Sequence, residues 1–412
     1  MNEWLNQTSS WARRACAAMI PCVAVAVLGM TRPCAGQGVP DTMSTFTSHD
    51  ASLTPERAEE LSRQHTTLTL AALKVLSPEV ARALSESRSV DPARGTMLVF
   101  LALRRLDADA ARQLARHVGS VSLPAIESIS AEAAEALVTH SGVVLSLEGL
   151  EHVSPEVARA LAKTQRTWLY LGITSLPPEI AVILADCNSH LSFTGIESVP
   201  IESARALIRH RRSLDFGKAR VTPEVAEVLL EHQGLIGVSL AKRLEPGVGD
   251  VLARHKFDLG LALEEIDSVA LARKLFSGQH HSSSVENLRT MSPEVAAEYV
   301  RCHPGYLKRL DTLSVEAVKE LAKDTQDIDL PAITKLSPEL ATALTDRKPA
   351  VYLRGLKSLD GPDAVRVAEA LASTPAPIYM EFLERVSAPA LAALREKATI
   401  TLPPDDKLTM VP

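Results

Sequence analysis

Rings are scarce in this chain. Its 412 residues include only 7 Phe, 5 Tyr and 3 Trp, which excludes a single globule built around large aromatic side chains. The core must come from Leu, Val, Ile and Ala, and small stacked units suit that palette. Cysteine is scarce too: Cys16, Cys22 and Cys34 fall in the first 36 residues, leaving Cys187 and Cys302 as the one pair a bridge could join in the rest. There is no basic block, and the formal charge is −6, which argues against nucleic acid or anionic lipid as the main partner. No Gly-x-Ser-x-Gly, His-Glu-x-x-His, Cys-x-x-Cys or phosphate-loop pattern occurs, so no catalytic residue, cofactor site or metal site is expected and the chain reads as a non-enzyme. The one apolar run that invites a membrane reading, Ala15 to Met30, is broken by Pro21 and falls short of the roughly 20 residues a span needs.

That run reads instead as part of a leader. Arg13 and Arg14 precede it, and Cys34-Ala35-Gly36-Gln37-Gly38 supplies a small-residue exit. A positive start, a short apolar stretch and small residues at the end predict a secretory signal peptide over 1–36, with an uncleaved anchor as the alternative. The surroundings of Arg13-Arg14 match twin-arginine export poorly, and Arg32-Pro33 before Cys34 does not look like a lipoprotein site. Cleavage would remove three Arg and one Glu, taking the formal charge from −6 to −8. The mature chain would have no membrane span and would reside in the periplasm, at the cell surface or outside. Residues 37–52, rich in Ser and Thr, read as a linker, and 403–412 as a C-terminal tail.

What fills the chain between them is a repeat. Val153-Ser154-Pro155-Glu156-Val157-Ala158-Arg159-Ala160-Leu161 has near-copies along most of the molecule. Anchored on the apolar residue before the Ser/Thr-Pro-Glu corner, the units fall at Leu53, Leu76, Leu106, Ile129, Val153, Leu176, Val199, Val221, Leu244, Ile266, Met291, Leu313, Leu336, Leu359 and Val386. Fifteen units near 23 residues indicate a solenoid over 53–402. Each begins with a short alternating strand, such as Leu145-Ser146-Leu147. Gly149, Gly172, Gly195 and Gly355 follow four residues before their anchors, where a missing Cβ lets neighbouring coils approach. Ser or Thr then caps a helix, Pro takes its first position, and Glu sits against the positive helix end. Val157, Ala158, Leu161 and Ala162 share one helical face. Strands need about 4.8 Å per coil and helices about 8–10 Å. The stack is therefore expected to curve, with a concave parallel sheet inside, roughly 70 Å long, and helices outside.

Leu145-x-Leu147-x-x-Leu150-x-x-Val153 and Val351-x-Leu353-x-x-Leu356-x-x-Leu359 resemble the strand-and-turn signature of leucine-rich repeats, in particular bacterial leucine-rich-repeat-like proteins. The likeness runs from about 46 to 402, but the usual Asn after the strand is missing, so an asparagine ladder is not implied. The resemblance implies an α/β, right-handed solenoid with an inner parallel sheet and one short outer helix per repeat. It also implies binding of proteins or other macromolecules on the concave face. Insertions break the rhythm at 87–95 and 278–284, and the repeat is degenerate near Gly260 and Val269.

Several residues tempt a chemical reading. His117, His140, His210, His232 and His255 each lie eleven residues after an anchor. In the last turn of an outer helix such a column serves terminal carbonyls better than it shares a metal. Cys187 and Cys302 occupy the same slot five coils apart, well beyond the roughly 7 Å a disulfide spans, so two free thiols are expected. His280-His281 reads as a solvated loop, and of Asp327 and Asp329 one is expected to face water. The open sheet face is the better candidate. If the eighth and sixth residues before each anchor point inward, the seventh and fifth point out. Tyr352, Arg354 and Tyr379 then gather the residue types favoured at binding hot spots. Leu169 and Leu171 would form a second, apolar patch, although a one-residue slip would exchange them with Trp168 and Tyr170. The expected function is an exported interaction scaffold for a protein or an envelope polymer, with a self-associating envelope component as the alternative.

Overall fold

The computed structural model describes residues 45–86, 97–277, 285–303 and 306–411. The leader, residues 37–44 of the linker, the 87–95 and 278–284 insertions and His280-His281 lie outside the described residues. The solenoid divides into two compact units, one comprising residues up to Gly217 with His232–Gly234, the other Lys218–Glu231 with Leu235 onward.

In the first unit the strands Thr45–Ser48, Thr67–Leu70, Met97–Phe100, Val121–Ser122, Val144–Leu147, Gln165–Leu171, Asn188–Phe193 and Leu214–Asp215 pair in that order, all parallel. Each strand belongs to one coil, so sequence neighbours are spatial neighbours, as stacked repeats require. Leu145 sits opposite Val121 on one side and Leu169 on the other, and all three are fully buried. The first of these strands lies inside the stretch read as a linker, where Thr and Ser hide the alternation.

The second unit repeats the pattern less regularly. Ile236–Val238 pairs with Leu259–Leu261, and Ile328–Asp329, Val351–Tyr352, Ile378–Tyr379 and Ile400–Thr401 form a further parallel sheet. Among the described residues no strand lies between Leu261 and Ile328, the region of the degenerate repeat. Buried Val285, Leu288, Leu307 and Leu310 keep the core continuous there. The expected tail is folded: Thr409–Val411 pairs with Arg385–Ser387, and the Arg395 guanidinium binds the Asp405 carboxylate.

The helix starts form as the sequence requires. Hydroxyls of Thr54, Ser77, Ser154, Thr222, Ser292 and Ser337 each accept the backbone N–H three residues on, at 3.2–3.4 Å. Such a cap contributes about 1 kcal/mol. The following Glu56, Glu79, Glu156, Glu294 and Glu339 carboxyls are held below their usual range by their own backbone N–H and then by the capping hydroxyl. In the helix Pro155–Leu161 the buried residues are Val157, Ala158, Ala160 and Leu161, while Ala162 is half-buried just past its end.

The slot eleven residues after several anchors forms a polar ladder between coils. His140 Nε2–H donates to Gly119 O at 2.7 Å, a ring N–H of His210 to Ala185 O at 3.3 Å, and one of His232 to Arg212 O at 3.0 Å. All are at most 4% exposed. Burial pushes His140 down to about 4 and lowers His210 as well, so these two rings act as neutral donors to the preceding coil. Cys187 fills the same slot, buried, with Thr164 O at 3.7 Å, and it and Cys302 are free thiols.

Burial of neutral imidazoles makes the first unit acid-sensitive. His140 and His190, both pushed to about 4 mainly by burial, titrate near 6.5 once unfolded. The unfolded chain therefore takes up protons that the folded one refuses. The stabilisation is complete above pH 6.5 and declines as pH falls towards 4. At pH 5 each ring is expected to subtract about 2 kcal/mol relative to pH 7. Urea midpoints at the two pH values, compared with those of His140→Gln, check this: the substitution removes part of the pH dependence.

Candidate binding surface

On the open sheet face of the second unit, Tyr352 and Tyr379 lie in register on adjacent strands. Their rings stack 4.5 Å apart at 9°. The Arg354 guanidinium lies 5.3 Å from the Tyr352 ring centroid and its Nη1 is 3.0 Å from Asp329 Oδ2. The sequence thus brings its three hot-spot candidates into one cluster. Asp329 is half-buried, and desolvation raises its carboxyl against the opposing pull of Arg354. Exposed Asp327 instead accepts the Ala350 N–H at 2.9 Å. Two rings held by each other and by a cation lose little freedom on binding, which is what makes such residues effective contacts.

Tyr306 lies seven residues before Leu313, an outward position by the same rule. It is 70% exposed, while the following Leu307 is buried like Leu330 in the next coil. Lys308, two residues on, pairs with Glu286 at 2.8 Å.

Leu169 and Leu171 are not surface residues. Both are 0% exposed and pair with Leu145 and Leu147 in the core. In this coil the connection from Leu171 to the corner at Leu176 is one residue shorter than that from Leu147 to Val153. With a period of two, that single residue reverses every side chain. Trp168 and Tyr170 therefore occupy the open face, 6.0 Å apart and stacked, with His190 4.6 Å from Trp168. Much of the rest of this face is small and shielded: Ser122, Ser146 and Ser192 are buried between neighbouring coils.

An apolar space of about 20 Å³ in the second unit is lined by residues such as Leu321, Ile333 and Leu344. Among the described residues no group of three or more His, Cys, Asp or Glu is placed to hold a metal ion, and no helix is long and apolar enough to cross a membrane.

No protein-family profile matches the sequence, and no curated protein matches it. Solved structures give distant likenesses. An internalin from Listeria monocytogenes is 12% identical over 85% of this chain and 88% of its own, with a TM-score of 0.32. The yeast Rad7–Elc1 complex is 12% identical over 75% of each chain, TM-score 0.36. The Drosophila Toll–Spatzle complex is 11% identical over 85% of this chain and 48% of that one, TM-score 0.35. Likenesses so distant add nothing to what the coils themselves display. By its own 23-residue period, parallel inter-coil strands and capped helices, the chain is an α/β solenoid of stacked repeats, and its strand-and-turn signature resembles that of leucine-rich repeats.

Proposed function

We propose that the chain is an exported, non-enzymatic interaction protein that presents its open sheet face to a protein or an envelope polymer. The observation that carries this reading is the Tyr352–Tyr379 stack with Arg354 beside it, a rigid, half-exposed group of hot-spot residue types on a face with no structural need for them. Interior strand positions are filled by Leu, Ile and Val, and small polar residues suffice outside, as in the first unit. Export rests on the leader pattern alone. Full-length chain is immobilised and used to capture partners from the native envelope, beside Tyr352→Ala/Arg354→Ala/Tyr379→Ala. The reading expects a partner whose affinity falls at least about a hundredfold in the triple variant, the loss of two or more hot spots, with the circular dichroism unchanged. Equal capture by both removes this patch from the account. Concentration-dependent assembly in light scattering, abolished by no open-face substitution, favours the self-associating envelope component instead.

A further inference from the structure

We propose that the Tyr352–Tyr379 cluster reads a neutral glycan, with the outer face of Tyr379, at the end of its sheet, as the platform for one pyranose ring. This rests on the reading of the open sheet face as the binding surface, and it narrows the partner to an uncharged polysaccharide.

The register leaves one aromatic face open. Asp329, Tyr352, Tyr379 and Thr401 stand in one row on four adjacent strands. On the side of the preceding strand, the Arg354 guanidinium lies 5.3 Å from the Tyr352 ring centroid and 3.0 Å from Asp329 Oδ2. On the side of the following strand, Tyr352 meets the Tyr379 ring, 4.5 Å away and 9° from parallel. Both faces of Tyr352 are therefore taken, and Tyr379 keeps one face free. That face is turned toward Thr401, an exposed, small residue on Ile400–Thr401, the last strand of the sheet. Among the described residues no other ring and no cation lies against Tyr379. The platform is held rigid before any ligand arrives, which lowers the entropy lost on binding.

The chemistry selects the occupant. Two rings in contact leave no slot between them, so a ligand meets a single flat face and not a groove. The C–H groups on one side of a pyranose carry slight positive charge and pack on the negative face of an aromatic ring. The hydroxyls around the sugar's rim need donors and acceptors. Thr399 and Thr401, both exposed on the neighbouring strand segment, supply them. Glu381, exposed and two residues beyond Tyr379, adds a carboxylate on the same side of its strand. An anion would meet Asp327, Asp329 and Glu381 against one guanidinium that is already paired. A cation would find no desolvated acid beside Tyr379, because Asp329 lies two strands away and holds Arg354, and Glu381 is solvated. An uncharged ring with a polar rim meets both conditions.

Full-length chain is titrated calorimetrically with three neutral hexasaccharides, chitohexaose, laminarihexaose and maltohexaose. Saturable binding of at least one is expected, with saturation transfer from the protein to its pyranose C–H protons. Tyr379→Ala should weaken that binding at least about tenfold. Tyr379→Phe, which keeps the face and loses only the hydroxyl, should weaken it less than about threefold, and Thr401→Val about threefold through one lost hydroxyl bond. Tyr306→Ala, at an exposed tyrosine in another coil, should change nothing. Circular dichroism and the urea midpoint show that each variant is folded, and the phenylalanine and valine variants carry the test if the alanine variant is not. No saturable binding of any of the three sugars, undiminished binding by Tyr379→Ala, or lost binding in Tyr379→Phe overturns the proposal. Tighter binding of acetyl-tryptophan amide or acetyl-lysine amide than of every sugar overturns it in favour of a side chain of a protein. Capture from the envelope keeps this failure apart from that of the wider reading. If the sugars fail while Tyr352→Ala/Arg354→Ala/Tyr379→Ala still loses its partner, the open face binds a protein; if that variant captures equally, the surface itself falls.

Discussion

Arg347→Ala is expected to destabilise the second unit by about 3–5 kcal/mol, the range for removing one partner of a buried charged network. Arg347 is the largest fully buried side chain among the described residues, 0% exposed. It occupies the slot that histidine fills in the first unit, eleven residues after Leu336. Its Nη1 donates to Leu321 O at 3.0 Å and Asp324 O at 3.2 Å, and its Nη2 to Gln326 O. One guanidinium thus serves three carbonyls at the end of the helix Val315–Ala322, where a single imidazole would reach one. Burial lowers its pKa while Asp324 and Asp327 oppose that shift. Its loss also removes a nearby positive charge from buried Asp324, 4% exposed, whose carboxylate lies 3.2 Å from His303 Nδ1. Arg347→Met separates the causes: it restores most of the volume and none of the donors. If the bonds dominate, methionine recovers less than about 1 kcal/mol of the loss, because an unmade buried bond costs the full desolvation of its acceptor. Urea unfolding followed by circular dichroism reads both. A loss below about 1 kcal/mol in Arg347→Ala would mean the carbonyls find water.

Gly172→Ala is the second large effect, at more than about 3 kcal/mol, as expected when a backbone contact cannot relax. A Cβ on Gly172 would lie 1.6 Å from Glu148 O, one on Gly195 1.9 Å from Gly172 O, and one on Gly149 2.5 Å from Pro124 O. Carbonyls of one coil fill the space each glycine leaves in the next, so a column of glycines holds the coils together. None of the three has a positive φ; among the described residues the positive-φ glycines are Gly217 and Gly247. The constraint is close approach, not torsion. Methyl insertion must push adjacent coils apart and stretch the Gly172 N–H to Leu147 O bond, already 3.3 Å. Gly361 is the control: nothing lies within 4 Å of its missing Cβ, and alanine there should change stability by less than about 0.5 kcal/mol. Comparable losses at both sites would contradict the column.

The glycine column and the caps were legible because each repeats at a fixed offset from an anchor, and fifteen copies average out local noise. The Tyr352, Arg354 and Tyr379 cluster was legible for the same reason, since those coils keep a step of six from the second inward strand residue to the corner. Leu169 and Leu171 were misplaced where the connection shortens to five. A period fixes where the next coil begins, but strand facing depends on every residue between strand and corner. The same shortening occurs before Val221 and Ile266, so buried Leu214, Phe216 and Leu261 stand where the rule puts outward residues. Leu-x-Leu at 169 and 171 matches Leu145 and Leu147, and aligning strands by that pair would have found the slip. The polar ladder was legible as a column serving carbonyls; what the fold adds is which carbonyls, those of the preceding coil.

Hydrogen exchange of the full-length chain with and without its captured partner tests the central claim most directly. Amides of Val351–Arg354 and Ile378–Glu381 should gain protection on binding, and those of the helices Pro338–Ala343 and Ala364–Ser373 should not. Protection confined to the helices, with the Tyr352 and Tyr379 strands unchanged, would contradict binding through the open sheet face.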